Sequence, residues 1–144
     1  MRDNPLSTRV STRMATPVLP QTQRAVCPTI MVVEDSEDIR FMMRTLLEME
    51  GYQVIEAADG LQAIEMALNH RPSMIIMDLT LPRLDGLSAT HRIREQLDNI
   101  PIVALSGHIS DDHRSAAFAA GCTDYLVKPL DFELLYQVLA RLSC

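Results

Sequence analysis

Three acids, one serine and one lysine stand where short apolar runs of this 144-residue chain end. Thr29–Val33 runs into Glu34-Asp35, and Met74–Met77 runs into Asp78. Pro101–Leu105 ends in Ser106, and Thr123–Val127 ends in Lys128. Carboxylates gathered at one place repel, by roughly 4 kcal/mol per pair at ~4 Å and an effective dielectric of ~20. They must take up protons or hold a cation between them. Hard oxygen ligands suit Mg²⁺. Zinc is not indicated, because His70, His91, His108 and His113 show no ligand spacing and no cysteine joins them. A carboxylate beside a divalent cation and an ammonium is a setting that accommodates a phosphoryl group.

Taken singly, each residue has a plainer reading. Glu34-Asp35 can be a solvated pair before a helix, where acids are favoured. Asp78 can be a strand-end residue, Ser106 a turn residue, Lys128 a surface lysine and Tyr125 a half-buried packing residue in a strand. Their joint arrival at strand ends is what carries the chemical reading. One compositional fact adds to it: Lys128 is the only lysine, and every other cationic side chain among the 13 is arginine. A compact ammonium on a flexible stem does work that a planar guanidinium does not.

The elements that must position these residues follow from periodicity. The run 29–33 reads as a strand buried on both faces. Ser36 caps a helix to about Glu50, with Ile39, Met42, Met43, Leu46 and Met49 inward, and Gly51 stops it. A second strand spans Tyr52 to Ala57. Asp59 and Gln62 form a capping box for a helix with Leu61, Ile64, Ala67 and Leu68 inward, ended by Pro72. The strand 74–77 follows, then a loop to Asp85-Gly86. Asp85 caps a third helix with Ala89, Ile93 and Leu97 inward. After the fourth strand, Ser110 or Asp111 starts an alanine-rich helix that Gly121 terminates. After the fifth, Asp131 caps a last helix with Leu135, Val138, Leu139 and Leu142 inward. Five strand–helix alternations predict an α/β fold, a doubly wound parallel five-stranded sheet. All strand carboxyl ends then share one edge, where such sheets bind ligands.

Composition sets the bounds. The chain is 47% hydrophobic but only 4% aromatic, so the core is aliphatic and methionine-rich. No apolar run approaches the ~20 residues of a membrane span. A net charge of −6 argues against nucleic acid or an anionic membrane as main partner. Cys27, Cys122 and Cys144 lack any Cys-x-x-Cys and are expected to be free thiols in a reducing compartment. Residues 1–26 carry three prolines and four arginines against one aspartate, +3, leaving −9 for the rest. They are expected to form a disordered tail, without the apolar core of a secretory signal. Met14 offers an alternative start.

From about Thr29 to Cys144 the chain resembles the receiver domain of bacterial response regulators, the CheY-like family. The Lys128-Pro129 pair and the Asp-x-x-x-Pro-x-x-Asp-Gly pattern from Asp78 to Gly86 fit that family. The resemblance implies a flavodoxin-like (βα)₅ sheet of order 2-1-3-4-5, with residues 27–144 as the receiver domain. It implies Asp78 as phosphoacceptor from a sensor histidine kinase or histidine phosphotransfer protein, with Mg²⁺ held by Asp35, Glu34, Asp78 and the Thr80 backbone carbonyl. It implies Ser106 and Lys128 as partners of the phosphoryl group, Ser106 and Tyr125 as switch residues, with Tyr125 moving inward as Ser106 turns, and Thr80 and His108 as residues that tune phosphoryl lifetime. It further implies a cytoplasmic signalling protein that is not an enzyme beyond its own phosphorylation and dephosphorylation. No DNA-binding domain is expected to follow Cys144, so output is expected by phosphorelay or through the helix 4–strand 5–helix 5 face to a protein partner, without direct nucleic-acid contact or membrane insertion. Glu34 departs from the family's more frequent aspartate.

Two other readings stand beside this one. A pseudo-receiver would use the same fold as an interaction module without phosphorylation. A haloacid-dehalogenase-type phosphatase would need a general acid where Thr80 stands.

Overall fold

The computed structural model describes residues 28–142. Strands and helices alternate as β1 (Thr29–Val33), α1 (Glu37–Met49), β2 (Gln53–Ala57), α2 (Gly60–His70), β3 (Met74–Asp78), α3 (Gly86–Gln96), β4 (Ile102–Ser106), α4 (Asp111–Ala120), β5 (Asp124–Val127) and α5 (Phe132–Leu142). All pairings are parallel and the sheet order is β2-β1-β3-β4-β5. The expected doubly wound architecture and strand order are therefore observed. The expected tail over residues 1–26, Cys27 and Cys144 lie outside the described residues.

Strand periodicity divides the core into two layers. Met31, Val33, Ile75, Met77 and Ala104 face α2, α3 and α4. Ile30, Val32, Met74, Ile76, Val103 and Leu105 face α1 and α5. Central β3 is buried along its whole length, which is why its sequence is a continuous apolar run and not an alternating one.

The helices start where side-chain caps predict. Ser36 accepts from the Ile39 amide at 3.3 Å, Asp59 from Gln62 at 2.8 Å and Asp85 from Ser88 at 2.9 Å. Ser110 accepts from His113 at 3.3 Å, and Asp131 from Glu133 at 3.0 Å. The Gln62 side chain reaches back to the Ala58 amide, one residue before the expected capping-box partner. Each cap satisfies amides that would otherwise lack partners at a helix start. All five therefore help form the edge at which the strands end.

Two expected inward stripes are corrected. On α1 only Met43 and Leu47 are buried; Ile39, Met42 and Met49 are 43%, 44% and 76% exposed. The helix has more apolar residues than its contact with the sheet uses, and an i, i+4 pair makes that contact. On α2 Ala67 is buried and Ile64 and Leu68 pack against the core as expected, but Leu61 is exposed and Gly60 and Ala63 are buried instead. Here the helix starts against backbone: a Cβ on Gly60 would lie 2.0 Å from the Leu84 carbonyl oxygen. Such close approach selects small residues, which rank below leucine in any hydrophobic pattern.

Gly86 plays the same part for the site. Its amide donates to the Leu79 carbonyl at 3.1 Å, and a Cβ there would stand 2.4 Å from the Asp78 carbonyl oxygen. Gly86→Ala is therefore expected to cost about 1–3 kcal/mol or more, since backbone must move. Gly107, with nothing within 4 Å of its position for a Cβ, should accept alanine within about 0.5 kcal/mol. Urea unfolding midpoints of the two variants check the contrast.

Candidate functional site

Register brings the strand ends together. Val33 pairs with Met77, so Glu34 leaves β1 opposite Asp78, the last residue of β3. Asp78 pairs with Leu105, placing Ser106 one step beyond it on β4, and Ser106 pairs with Val127, the residue before Lys128. Carboxylate oxygens of Glu34, Asp35 and Asp78 lie within 4.8 Å of one another. Glu34 and Asp78 are only 3% and 2% exposed, while Asp35 is open to solvent.

Asp78 is gripped from two sides. Its Oδ1 accepts the Thr80 amide at 2.9 Å, a turn onto its own loop. Its Oδ2 accepts the Lys128 Nζ at 3.0 Å. That Asp78–Lys128 pair spans the sheet from β3 to the end of β5. The Lys128 amide donates to the Ser106 carbonyl at 2.7 Å, and the Lys128–Pro129 bond is cis. Ser106 is buried, and its Oγ accepts the His108 amide at 3.0 Å.

Glu34 carries the strain of the cluster. Burial pushes its carboxyl up from 4.5 to about 7; the negative charge of Asp78 adds to this, and the Ser36 amide, 3.0 Å from its Oε2, works against it. The donor set is all oxygen, mostly buried, and too negative to close on itself. It therefore fits a hard divalent cation such as Mg²⁺.

Tyr125, expected half-buried, is in fact buried, with its hydroxyl donating to the His108 carbonyl at 2.7 Å. The guanidinium of Arg114 lies 5.8 Å from its ring centre and 5.2 Å from that of Phe118. His108 and Thr80 are exposed but tied to the site through backbone: the His108 amide and carbonyl engage Ser106 and Tyr125, and the Thr80 amide engages Asp78. The His108 ring stacks on His113, centroids 4.0 Å apart. Cys122 is a free, buried thiol, pushed up to about 11 by burial, as expected of an unreactive cysteine.

Sequence reasoning missed Arg40. Its guanidinium donates to the Glu34 carbonyl and to the Glu56 carboxylate, both at 2.8 Å. Its partners are set by how α1 lies across β1 and β2, so no local spacing announces them.

A doubly wound sheet whose switch-point edge carries an acid cluster, a buried hydroxyl and a lysine paired to the central aspartate is a receiver-type architecture. The sequence profile described as "Response regulator receiver domain" matches residues 30–140. The chain belongs to the response regulator receiver domain family of two-component systems. It is 38% identical over 113 residues to the response regulator MprA of Mycobacterium sp. (strain KMS), covering 78% of this chain and 48% of that one. It is 36% identical over 116 residues to the transcriptional regulatory protein PrrA of Mycobacterium bovis, covering 81% and 48%. The chain thus spans about half the length of the curated relatives it matches. Among solved structures it resembles the chemotaxis protein CheY4 of Vibrio cholerae, with TM-score 0.77, 33% identity and coverage of 81% and 99%. It also resembles the receiver domain of the sensor histidine kinase PA1611 of Pseudomonas aeruginosa, with TM-score 0.76, 37% identity and coverage of 82% and 98%. That structure has a magnesium ion coordinated in its active site cleft. Among the described residues no helix is long and apolar enough to cross a membrane.

The raised Glu34 carboxyl makes a pH prediction. Folded Glu34 keeps its proton to about pH 7, whereas the unfolded chain releases it near 4.5. The folded state then binds more protons across that window, so Glu34's contribution makes stability fall as pH rises through it. At about 1.4 kcal/mol per unit this amounts to about 3 kcal/mol at most. Urea unfolding in chelator at pH 5 and pH 8 should show that loss in the native sequence and its disappearance in Glu34→Gln.

Proposed function

We propose that this chain is a phosphorylation switch in which Asp78 accepts a phosphoryl group from a phosphohistidine of a sensor histidine kinase or histidine phosphotransfer protein. The observation that carries the reading is the Asp78 carboxylate held by Lys128 at 3.0 Å, beside the Glu34–Asp35 pair. A carboxylate oxygen of Asp78 forms a bond to phosphorus while the P–N bond to the donor imidazole breaks. The bonding pair stays on the imidazole nitrogen, which takes a proton from solvent, and Asp78 becomes an acyl phosphate. Mg²⁺, held by Glu34, Asp35, Asp78 and the Thr80 carbonyl, would supply neutralisation of the phosphoryl oxygens. Lys128 moves its ammonium from the carboxylate to a phosphoryl oxygen. Ser106 uses its Oγ only as an acceptor for the His108 amide, which leaves its own proton to donate to the phosphoryl group.

The switch follows from that last step. Turning Ser106 toward the phosphoryl group loosens its hold on His108, whose carbonyl anchors Tyr125. Tyr125 is already inside, so its part is a change of partner in the β4–α4 loop and not a journey inward. The α4–β5–α5 face would then present differently to a downstream protein, a population shift set by local electrostatics. A phosphatase is disfavoured by Thr80, which contributes an amide where a general acid is needed.

Incubation of the full chain with Mg²⁺ and acetyl phosphate should give one phosphoryl adduct by intact mass, absent in Asp78→Asn. No adduct, together with no amide shift changes on adding Mg²⁺ and beryllofluoride, would overturn the switch in favour of an unphosphorylated interaction module. Thr80→Ala and His108→Ala should each change the adduct's lifetime by several-fold. Lifetimes equal to that of the native sequence would remove both residues from a tuning role.

A further inference from the structure

Glu34 is fixed through its backbone as well as its carboxylate. Its amide donates to the Ala57 carbonyl at 3.0 Å, tying it to the end of β2. Its carbonyl accepts Nη1 of Arg40 at 2.8 Å, tying it to the first turn of α1. That carbonyl belongs to the peptide group joining Glu34 to Asp35. A peptide group is planar, so holding its oxygen fixes the rotation on both sides of it. That rotation sets the relative direction of the two Cα–Cβ bonds from which the carboxylates extend.

Arg40 is itself held. Its side chain is 16% exposed, and its Nε donates to Glu56 Oε1 at 2.8 Å. Glu56 stands on β2 beside Val32 of β1, and its second oxygen accepts Nη1 of Arg44 at 2.7 Å. Burial would push the Glu56 carboxyl up, but the two guanidiniums outweigh it and hold it below 4.5. The acceptor therefore keeps its charge through the neutral range. A guanidinium can serve the carbonyl and the carboxylate together, because its N–H groups diverge in one rigid plane. An ammonium in its place serves one acceptor well or the other, seldom both.

We propose that Arg40 is a positioning residue for the metal-binding acids: braced on Glu56, it locks the Glu34–Asp35 peptide and so sets the direction of the two carboxylates toward Asp78. This rests on the metal-binding reading of the site, although the peptide lock exists without a metal. Arg40 touches no carboxylate of the cluster, and Glu56 offsets its charge, so it acts through geometry.

The test uses full-length native protein beside Arg40→Met, Arg40→Lys and Arg44→Met. Arg44 pairs with Glu56 and Glu48 but makes no bond to Glu34, so it matches Arg40 as an ion-pair loss without the lock. Mg²⁺ titration followed by amide chemical shifts should show binding weakened about tenfold or more in Arg40→Met. Binding should be partly restored in Arg40→Lys and unchanged within about twofold in Arg44→Met. In chelator, Arg40→Met should shift the Asp35 amide resonance and speed exchange at the Glu34 amide, and Arg44→Met should do neither. Native-like Mg²⁺ affinity in Arg40→Met, or equal losses in Arg40→Met and Arg44→Met, overturns the proposal. Should the native protein fail to bind Mg²⁺, the receiver chemistry fails, and the chelator measurements alone decide for or against the lock. If Arg40→Met does not fold, Arg40→Lys decides by the same readouts: a native-like Asp35 resonance and affinity would refute the need for a two-acceptor donor.

Discussion

Like charges held together out of water are the constraint on which this structure turns. Parallel register leaves Glu34 and Asp78 side by side at neighbouring strand ends, and burial denies both the solvent that would screen them. The fold answers with an ammonium on Asp78, amides on Asp78 and Glu34, and a partly protonated Glu34 near neutrality. Folding alone would not keep such a cluster, because an apolar strand end would be cheaper. The deficit of positive charge that remains suits the cation and phosphoryl chemistry proposed for this edge.

Around that edge, rigidity and adaptability are divided between the two layers. On the α2–α4 side, Gly60, Ala63, Ala67, Gly86, Ala89 and Ala117 let helices lie close on the sheet. On the α1–α5 side the contacts are made by long aliphatic and methionine side chains, and a cavity of about 300 Å³ opens beside Glu34 and Lys128. The loop after β4 joins the site to the α4–β5–α5 face through backbone groups of His108, which meet a side chain at each end. The amide and carbonyl of one residue thus connect the Ser106 hydroxyl to the Tyr125 ring.

Much of this was legible in the sequence because it depends on local signals. Strand runs ending in Glu34-Asp35, Asp78, Ser106 and Lys128, and caps at Ser36, Asp59, Asp85, Ser110 and Asp131, are properties of a few adjacent residues. Alternation of strands and helices then forces the chemistry to one edge. Sheet order came only with the family resemblance. The helix faces were less legible: α1 exposes Ile39, Met42 and Met49 because its apolar residues outnumber the positions that meet the sheet. The buried face of α2 is written in alanine and glycine, which periodicity undervalues. Arg40 and the depth of Tyr125 were missed because their partners lie 16 and 17 residues away along the chain, and only tertiary packing brings them near.

The solitary lysine has a practical corollary. Apart from a free chain terminus, Lys128 is the one amine in the protein, and it sits half-shielded against Asp78. Amine-selective reagents, which on most proteins report an average over many side chains, would here report on a single ion pair. The rate of Lys128 acylation is therefore a direct gauge of how tightly the central aspartate holds its counter-charge, with no engineered probe at the site.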